Sequence, residues 1–240
     1  MILDVLSVGP FQANCYLLGC PDTHEALIVD PGDEPERLSR RIEELNLRPT
    51  IYLHTHGHID HVGASGPLKT RFGGRILLHE ADRVFYEHAH EHAHVYGIEI
   101  PPTLPLDGTV GDGEELAWGA VRGTLLHTPG HSPGGMCLRV AGHWMGAEPG
   151  RRAAHGRSAH DQVPAAPPDW LFTGDTLFSG SVGRTDLPGG SWPALLRSVR
   201  EKLLSLPDEC VVAPGHGPRS TIGEERRLNP FLQERGLADI

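Results

Sequence analysis

Four histidines and one aspartate crowd into the eight residues His54-Thr55-His56-Gly57-His58-Ile59-Asp60-His61. Imidazole nitrogens joined by a carboxylate oxygen form a donor set suited to zinc, iron or manganese. The lead-in, Thr50-Ile51-Tyr52-Leu53, is β-branched and apolar and predicts a short buried strand. Val62-Gly63-Ala64 and the residues after them predict the start of a helix, so the cluster falls at a strand-to-helix turn. In extended backbone, residues two apart point the same way. His56 and His58 can therefore reach one ion from one side, while the turn carries Asp60 and His61 to a neighbouring position. His54-x-His56-x-His58 is a rival register, but only the one starting at His56 is followed by Asp-His.

Three further stretches offer donors. In Thr128-Pro129-Gly130-His131-Ser132-Pro133-Gly134 a histidine sits between two Pro-Gly pairs, and a ligand benefits from such restricted backbone. His131 thus supplies a third nitrogen for the first metal. Asp175 ends the predicted strand Trp170-Leu171-Phe172-Thr173, and its two carboxylate oxygens can bridge two ions. Pro214-Gly215-His216-Gly217-Pro218 repeats the Pro-Gly-His pattern after the strand Cys210-Val211-Val212-Ala213. Asp30 closes another strand, Ala26-Leu27-Ile28-Val29, just before Pro31-Gly32. It can support a metal ligand from behind, or it can simply bond turn amides. A second histidine run, His88-Ala89-His90-Glu91-His92-Ala93-His94, places i, i+4 pairs on a helix. No carboxylate or cysteine constellation closes that site, so an exposed helix is expected.

The elements that must position these groups are legible around them. Residues 2–8 and 14–19 read as paired strands about the turn at Gly9-Pro10. Leu38, Ile42 and Leu45 give 36–46 the period of an amphipathic helix, which leads into the metal-bearing strand. Ile76–His79 and Met136–Val140 predict strands, and 114–127 predicts two strands about Gly119. Ser191 and Pro193 open a helix with Leu195, Leu196, Val199 and Leu203 on its inner face. Thr221 and Glu224 form a capping box for a helix that ends at Pro230. Residues 143–168 are rich in Ala, Gly, Pro, Arg and His without periodicity, which predicts a flexible surface excursion or a lid.

Composition narrows the partners. The 240 residues are long enough for a sizeable core. A formal net charge of −10 argues against nucleic acid or an anionic membrane as partner. There is no apolar run of spanning length, and Met1-Ile2-Leu3-Asp4 lacks a basic leader. The four cysteines show no paired-ligand spacing and fit reduced thiols, so a cytoplasmic protein is expected. The sequence is silent on oligomeric state.

The order and wording of Thr55-His56-Gly57-His58-Ile59-Asp60-His61, Thr128-Pro129-Gly130-His131-Ser132, Gly174-Asp175-Thr176-Leu177-Phe178 and Pro214-Gly215-His216-Gly217 resemble the metallo-β-lactamase superfamily. Within it they look like the glyoxalase II-like hydrolases. The resemblance implies an α/β fold, an αβ/βα sandwich of two mixed sheets flanked by helices, as a single domain over 1–240 with an insertion at about 143–168. It implies two divalent metal ions, zinc foremost with iron or manganese as alternatives. His56, His58 and His131 would hold the first, Asp60, His61 and His216 the second, with Asp175 bridging and Asp30 behind the ligands. Asp60 and Asp175 are the implied catalytic carboxylates.

The activity implied is hydrolysis of S-acylglutathione or a related small thioester. Only about two dozen residues follow His216, so the C-terminal glutathione-binding helical domain of glyoxalase II is expected to be missing. The loop Gly183-Arg184-Thr185-Asp186 is partly shared with persulfide dioxygenases. In that alternative His56, His131 and Asp175 would hold a single iron. Hydrolysis of a lactone, a β-lactam or a phosphodiester is a further alternative.

Overall fold

The computed structural model describes residues 1–145 and 167–233. Its first sheet contains β1 (Ile2–Val8), β2 (Ala13–Gly19), β3 (Glu25–Val29), β4 (Arg48–Leu53), β5 (Arg75–His79) and β6 (Gly108–Val110), in that order. The first two connections are antiparallel and the remaining three parallel. The second sheet uses β7 (Glu115–Trp118), β8 (Val121–His127), β9 (Met136–Val140) and β10 (Trp170–Gly174). After the small hairpin of β11 (Leu177–Phe178) and β12 (Ser181–Val182), β13 (Val211–Pro214) and β14 (Ser220–Thr221) complete it in the order β14-β13-β10-β9-β8-β7. Both sheets are mixed, as expected.

Alternation along the strands divides the apolar residues into three layers. Tyr16, Leu18, Leu27, Val29, Ile51 and Leu53 of the first sheet pack against Trp118, Leu125, Leu138 and Phe172 of the second. The opposite face of the first sheet, with Leu17, Ile28, Tyr52 and Ile76, lies under α1 (Pro35–Glu44), α2 (Ile59–Val62) and α3 (Ser65–Phe72). Leu38 and Ile42 of α1 are fully buried there, as their spacing predicted. Tyr86 of α4 (Arg83–Glu87) and Ala89 of α5 (Ala89–Val95) extend the same layer. Beyond α6 (Gly142–Met145), the outer face of the second sheet meets α7 (Trp192–Arg197) through Leu195 and Leu196. Val199 and Leu203 continue that layer from a π-helical stretch, and Ile222 of α8 (Ile222–Leu228) closes it. The result is the helix–sheet–sheet–helix sandwich expected from the sequence.

Strand direction explains where the donors gather. β3 and β4 run parallel, so Asp30 and His54 onward leave the first sheet at one edge. β8 and β10 are each antiparallel to β9, and β13 is parallel to β10. The carboxyl ends of β8, β10 and β13, which lead to His131, Asp175 and His216, therefore share one edge too.

Several expectations are refined. Helix α2 begins at Ile59 rather than near Val62, so Asp60 and His61 stand in its first turn. Ser191 caps α7 by accepting the Ala194 amide, and Thr221 and Glu224 form the predicted capping box. His88, His92 and His94 are exposed on and beside α5, and His90 is partly so. The excursion foreseen at 143–168 lies for the most part outside the described residues; at its leading edge Gly142–Met145 form one helical turn. Among the described residues no helix is long and apolar enough to cross a membrane.

Candidate metal centre

The seven predicted donors converge. His56, His58 and His131 offer ligand atoms within 4.8 Å of one another, as do Asp60, His61 and His216. A third group of that width, His56, His61 and Asp175, joins the two. His58 Nδ1 is 2.9 Å from His131 Nε2. Asp175 Oδ1 lies 3.5 Å from His61 Nε2, while Oδ2 lies 3.6 Å from both His131 Nε2 and His216 Nε2. Asp60 Oδ2 is 3.2 Å from His216 Nε2 and 3.5 Å from His61 Nε2. Of these two carboxylates, Asp175 reaches histidines of both groups, which is the placement a bridging ligand needs.

Whether these residues suit metal ions can be judged from the far side of each ring. A metal-bound histidine normally gives its other N–H to an oxygen. His131 Nδ1 meets the Arg184 carbonyl at 2.8 Å, and His216 Nδ1 meets the Phe11 carbonyl at 3.1 Å. A carbonyl only accepts, so both Nδ1 atoms carry the hydrogen and Nε2 is the atom each ring turns towards the centre. His61 Nδ1 stands 3.1 Å from Asp30 Oδ2. Thr55 gives its hydroxyl hydrogen to Asp30 at 2.7 Å, so its oxygen accepts from His56 Nδ1 at 3.1 Å. The inward atoms His56 Nε2, His61 Nε2 and Asp175 Oδ1 are buried with no hydrogen-bond partner. Buried polar atoms are rarely left so, and donors of this kind are what a divalent cation requires. The residues fit.

Electrostatics agree. Burial, with His61 and the other rings beside it, holds His56 well below the usual imidazole range. Burial and then His131 bring His58 down to about 3. Both rings are therefore neutral and free to ligate at neutral pH. Burial alone would also lower His61, but Asp60, Asp175 and Asp30 outweigh it and push that ring up to about 10. Such a concentration of negative charge around His61 attracts cations. Asp60 lies below the usual carboxylate range, because His61 and His216 overcome the opposing effect of its burial.

Asp30 turns its carboxylate to Thr55 and His61. Its Oδ1 accepts the Thr55 amide at 2.7 Å and its Oδ2 serves Thr55 and His61, in a setting that is 1% exposed. Its own backbone takes φ 50°, which an aspartate tolerates better than most residues. His54 stays outside all three donor groups: its Nδ1 meets the His61 carbonyl at 3.0 Å and its ring lies 5.5 Å from that of Tyr86.

The sequence reading missed the supports of the loops. Asp82, in the helical turn after β5, accepts from Gly57, Ser132 and Gly134. Asn14 and Tyr16 on β2 hold the loop of His216 through the Pro214 and Gly217 carbonyls. Gly215 lets Asp175 approach closely there, since a Cβ would meet Asp175 Oδ1 at 2.3 Å. Asp82 stands three residues beyond the end of β5, in a turn whose sequence gives no sign of these partners.

The chain belongs to the metallo-β-lactamase superfamily, whose family profile matches residues 8–143 and 159–216. It is 39% identical over 237 residues to a protein of Haemophilus influenzae named hydroxyacylglutathione hydrolase GloC, covering 98% of this chain and 100% of that one. Among solved structures it resembles the BLEG-1 B3 metallo-β-lactamase, with TM-score 0.80 and 34% identity over 97% of this chain and all of the other. It also resembles TTHA1623 in a di-iron-bound form, with TM-score 0.76 and 39% identity over 95% of this chain and all of that one. The fold, the donor groups and the relatives together define a metal-binding hydrolase of this superfamily.

Proposed function

We propose that this protein hydrolyses S-acylglutathione or related small thioesters with two divalent cations as cofactors. His56, His58 and His131 would hold the first cation, Asp60, His61 and His216 the second, and Asp175 would bridge them. The observation that carries the reading is the reach of Asp175 to His61 on one side and to His131 on the other, at 3.5 and 3.6 Å. Two cations held by these residues would make a water acidic enough to supply hydroxide near neutral pH and would offset the charge that develops on the carbonyl oxygen. The residues do the rest. Asp30 fixes the orientation of His61 and, through Thr55, of His56. Asp60 and Asp175 bring negative charge that holds the cations, and Asp60 is the group able to accept a proton where its own cation is absent. A thioester suits this site because a thiolate leaves without needing a proton donor.

The relative named hydroxyacylglutathione hydrolase supports the thioester class, and the di-iron form of TTHA1623 supports two ions while leaving zinc, iron and manganese open. A net charge of −10 suits a small-molecule substrate rather than nucleic acid or a membrane, in keeping with a cytoplasmic enzyme of one domain. The test is hydrolysis of lactoylglutathione and of a short acyl thioester, with metal content measured on the same sample. Turnover of either thioester by protein holding about two equivalents is the expected result. Inertness to both, with oxygen uptake on glutathione persulfide at one iron per chain, would replace this reading with the dioxygenase.

A further inference from the structure

We propose that Asp82 is the positioning residue of the first metal position, acting on the His58 and His131 loops together. The proposal rests on the ligand reading above. Asp82 is fully buried, and it lies outside the three donor groups. Instead Oδ2 accepts the Gly57 amide at 3.0 Å and the Ser132 hydroxyl at 2.7 Å, and Oδ1 accepts the Gly134 amide at 2.5 Å. Gly57 lies between His56 and His58, and Ser132 follows His131 directly. One carboxylate thus ties a loop of the first sheet to a loop of the second at the residues flanking three ligands.

The packing around it is built for that contact. A Cβ on Gly57 would meet the Asp82 carbonyl at 2.7 Å, and one on Gly134 would meet its carboxyl carbon at 2.8 Å. Both glycines are therefore places where backbone closes onto Asp82. The product is the 2.9 Å separation of His58 Nδ1 and His131 Nε2, near the roughly 3.3 Å that two nitrogens keep on one tetrahedral zinc.

The second position draws on different supports. His61 is held by Asp30, and His216 by the Phe11 carbonyl. Loss of Asp82 should therefore weaken one metal and spare the other, which general destabilisation would not do.

The experiment is a stepwise cobalt titration of metal-free protein against a competing chelator, followed by the visible absorption of the bound ion. It compares wild type, Asp82→Asn and His131→Ala. His131→Ala identifies the equivalent that belongs to the first position. In Asp82→Asn that same equivalent should bind roughly ten- to a hundredfold more weakly, the usual cost of losing an outer partner, with the other equivalent little changed. Equal weakening of both equivalents, or of neither, overturns the proposal. If His131→Ala weakens neither equivalent in an intact fold, the ligand assignment itself fails, and that outcome is separate. Should Asp82→Asn give no cooperative melt, Ser132→Ala removes one of the three bonds and leaves the carboxylate. It should weaken the same equivalent several-fold, and an unchanged titration would equally overturn the proposal.

Discussion

Asp30 and His61 form the best-buried contact of the centre: Oδ2 stands 3.1 Å from Nδ1, with the two side chains 2% and 0% exposed. The same carboxylate holds the backbone and hydroxyl of Thr55, and Thr55 in turn orients His56. One buried aspartate thus fixes a donor from each of the two groups. In Asp30→Asn one oxygen becomes an amide donor facing groups that themselves donate. The expected outcome is a roughly 10- to 100-fold loss of metal affinity, read by competition with a chelator. Unchanged affinity would remove Asp30 from the site.

Asp175→Asn keeps the shape but removes a charge placed between both groups. Loss of a single oxyanion-stabilising contact costs about a hundredfold or more in turnover, and here metal binding should suffer as well. Thioesterase activity should fall by at least that factor, and by more than in His216→Ala, with metal content measured on each variant. A smaller fall than in His216→Ala would deny Asp175 its bridging place.

The metal-free protein should be most stable slightly below neutrality. Burial brings His54 down to about 4 from an ordinary 6.5. Below that ordinary value the unfolded chain takes up a proton that the folded ring refuses, so stability falls as pH drops from about 6.5 towards 4. His61 has the opposite sign. It is raised to about 10 despite its burial, by Asp60, Asp175 and Asp30, so its contribution is complete below about 6.5 and is lost as pH rises towards 10. The slope for one proton is about 1.4 kcal/mol per pH unit. Melting temperatures in chelator from pH 4.5 to 9.5 check this: a maximum near 6.5 is expected, and a steady rise to pH 9 would contradict it.

Gly174→Ala should damage both stability and catalysis. Gly174 has φ 47°, and a Cβ would stand 2.2 Å from Thr55 Oγ1. The left-handed backbone costs about 1–2 kcal/mol for other residues, and overpacking adds about 1–3 kcal/mol. Because Asp175 follows and Thr55 precedes His56, activity should fall further than the loss of folded protein explains. A urea midpoint within error of wild type would show that the turn yields freely.

How much of this was legible in the sequence depends on the kind of signal. His56, His58, Asp60, His61, His131, Asp175 and His216 stand in motifs with fixed spacing at strand ends, and strand ends can be read from runs such as Thr50–Leu53 or Trp170–Thr173. Leu38 and Ile42, or Leu195 and Val199, show the period of a helix by their spacing alone. Asp82 carries no such spacing: its partners Gly57 and Ser132 lie 25 and 50 residues away, and only the tertiary fold brings them near. β6 was missed because three residues, Gly108–Val110, are too few to alternate visibly. The helix carrying Asp60 began early because its first turn coincides with the metal motif, which hides the usual capping signal.

The anchoring of His216 crosses the sandwich. Ala13 forms a bridge with His216, the Asn14 amide donates to the Gly215 carbonyl at 2.7 Å, and the Tyr16 hydroxyl donates to the Pro214 carbonyl at 2.7 Å. A loop that leaves the second sheet is thus moored on the first, beside residues that approach it from the opposite side. Ions seated here would act as rivets through the seam, holding chain segments far apart in sequence. Withdrawing them would leave the interior of each sheet intact and slacken the joint between the two. Amide exchange at Asn14 would then quicken while β3 and β4 stayed protected, giving a gauge of occupancy that needs no substrate.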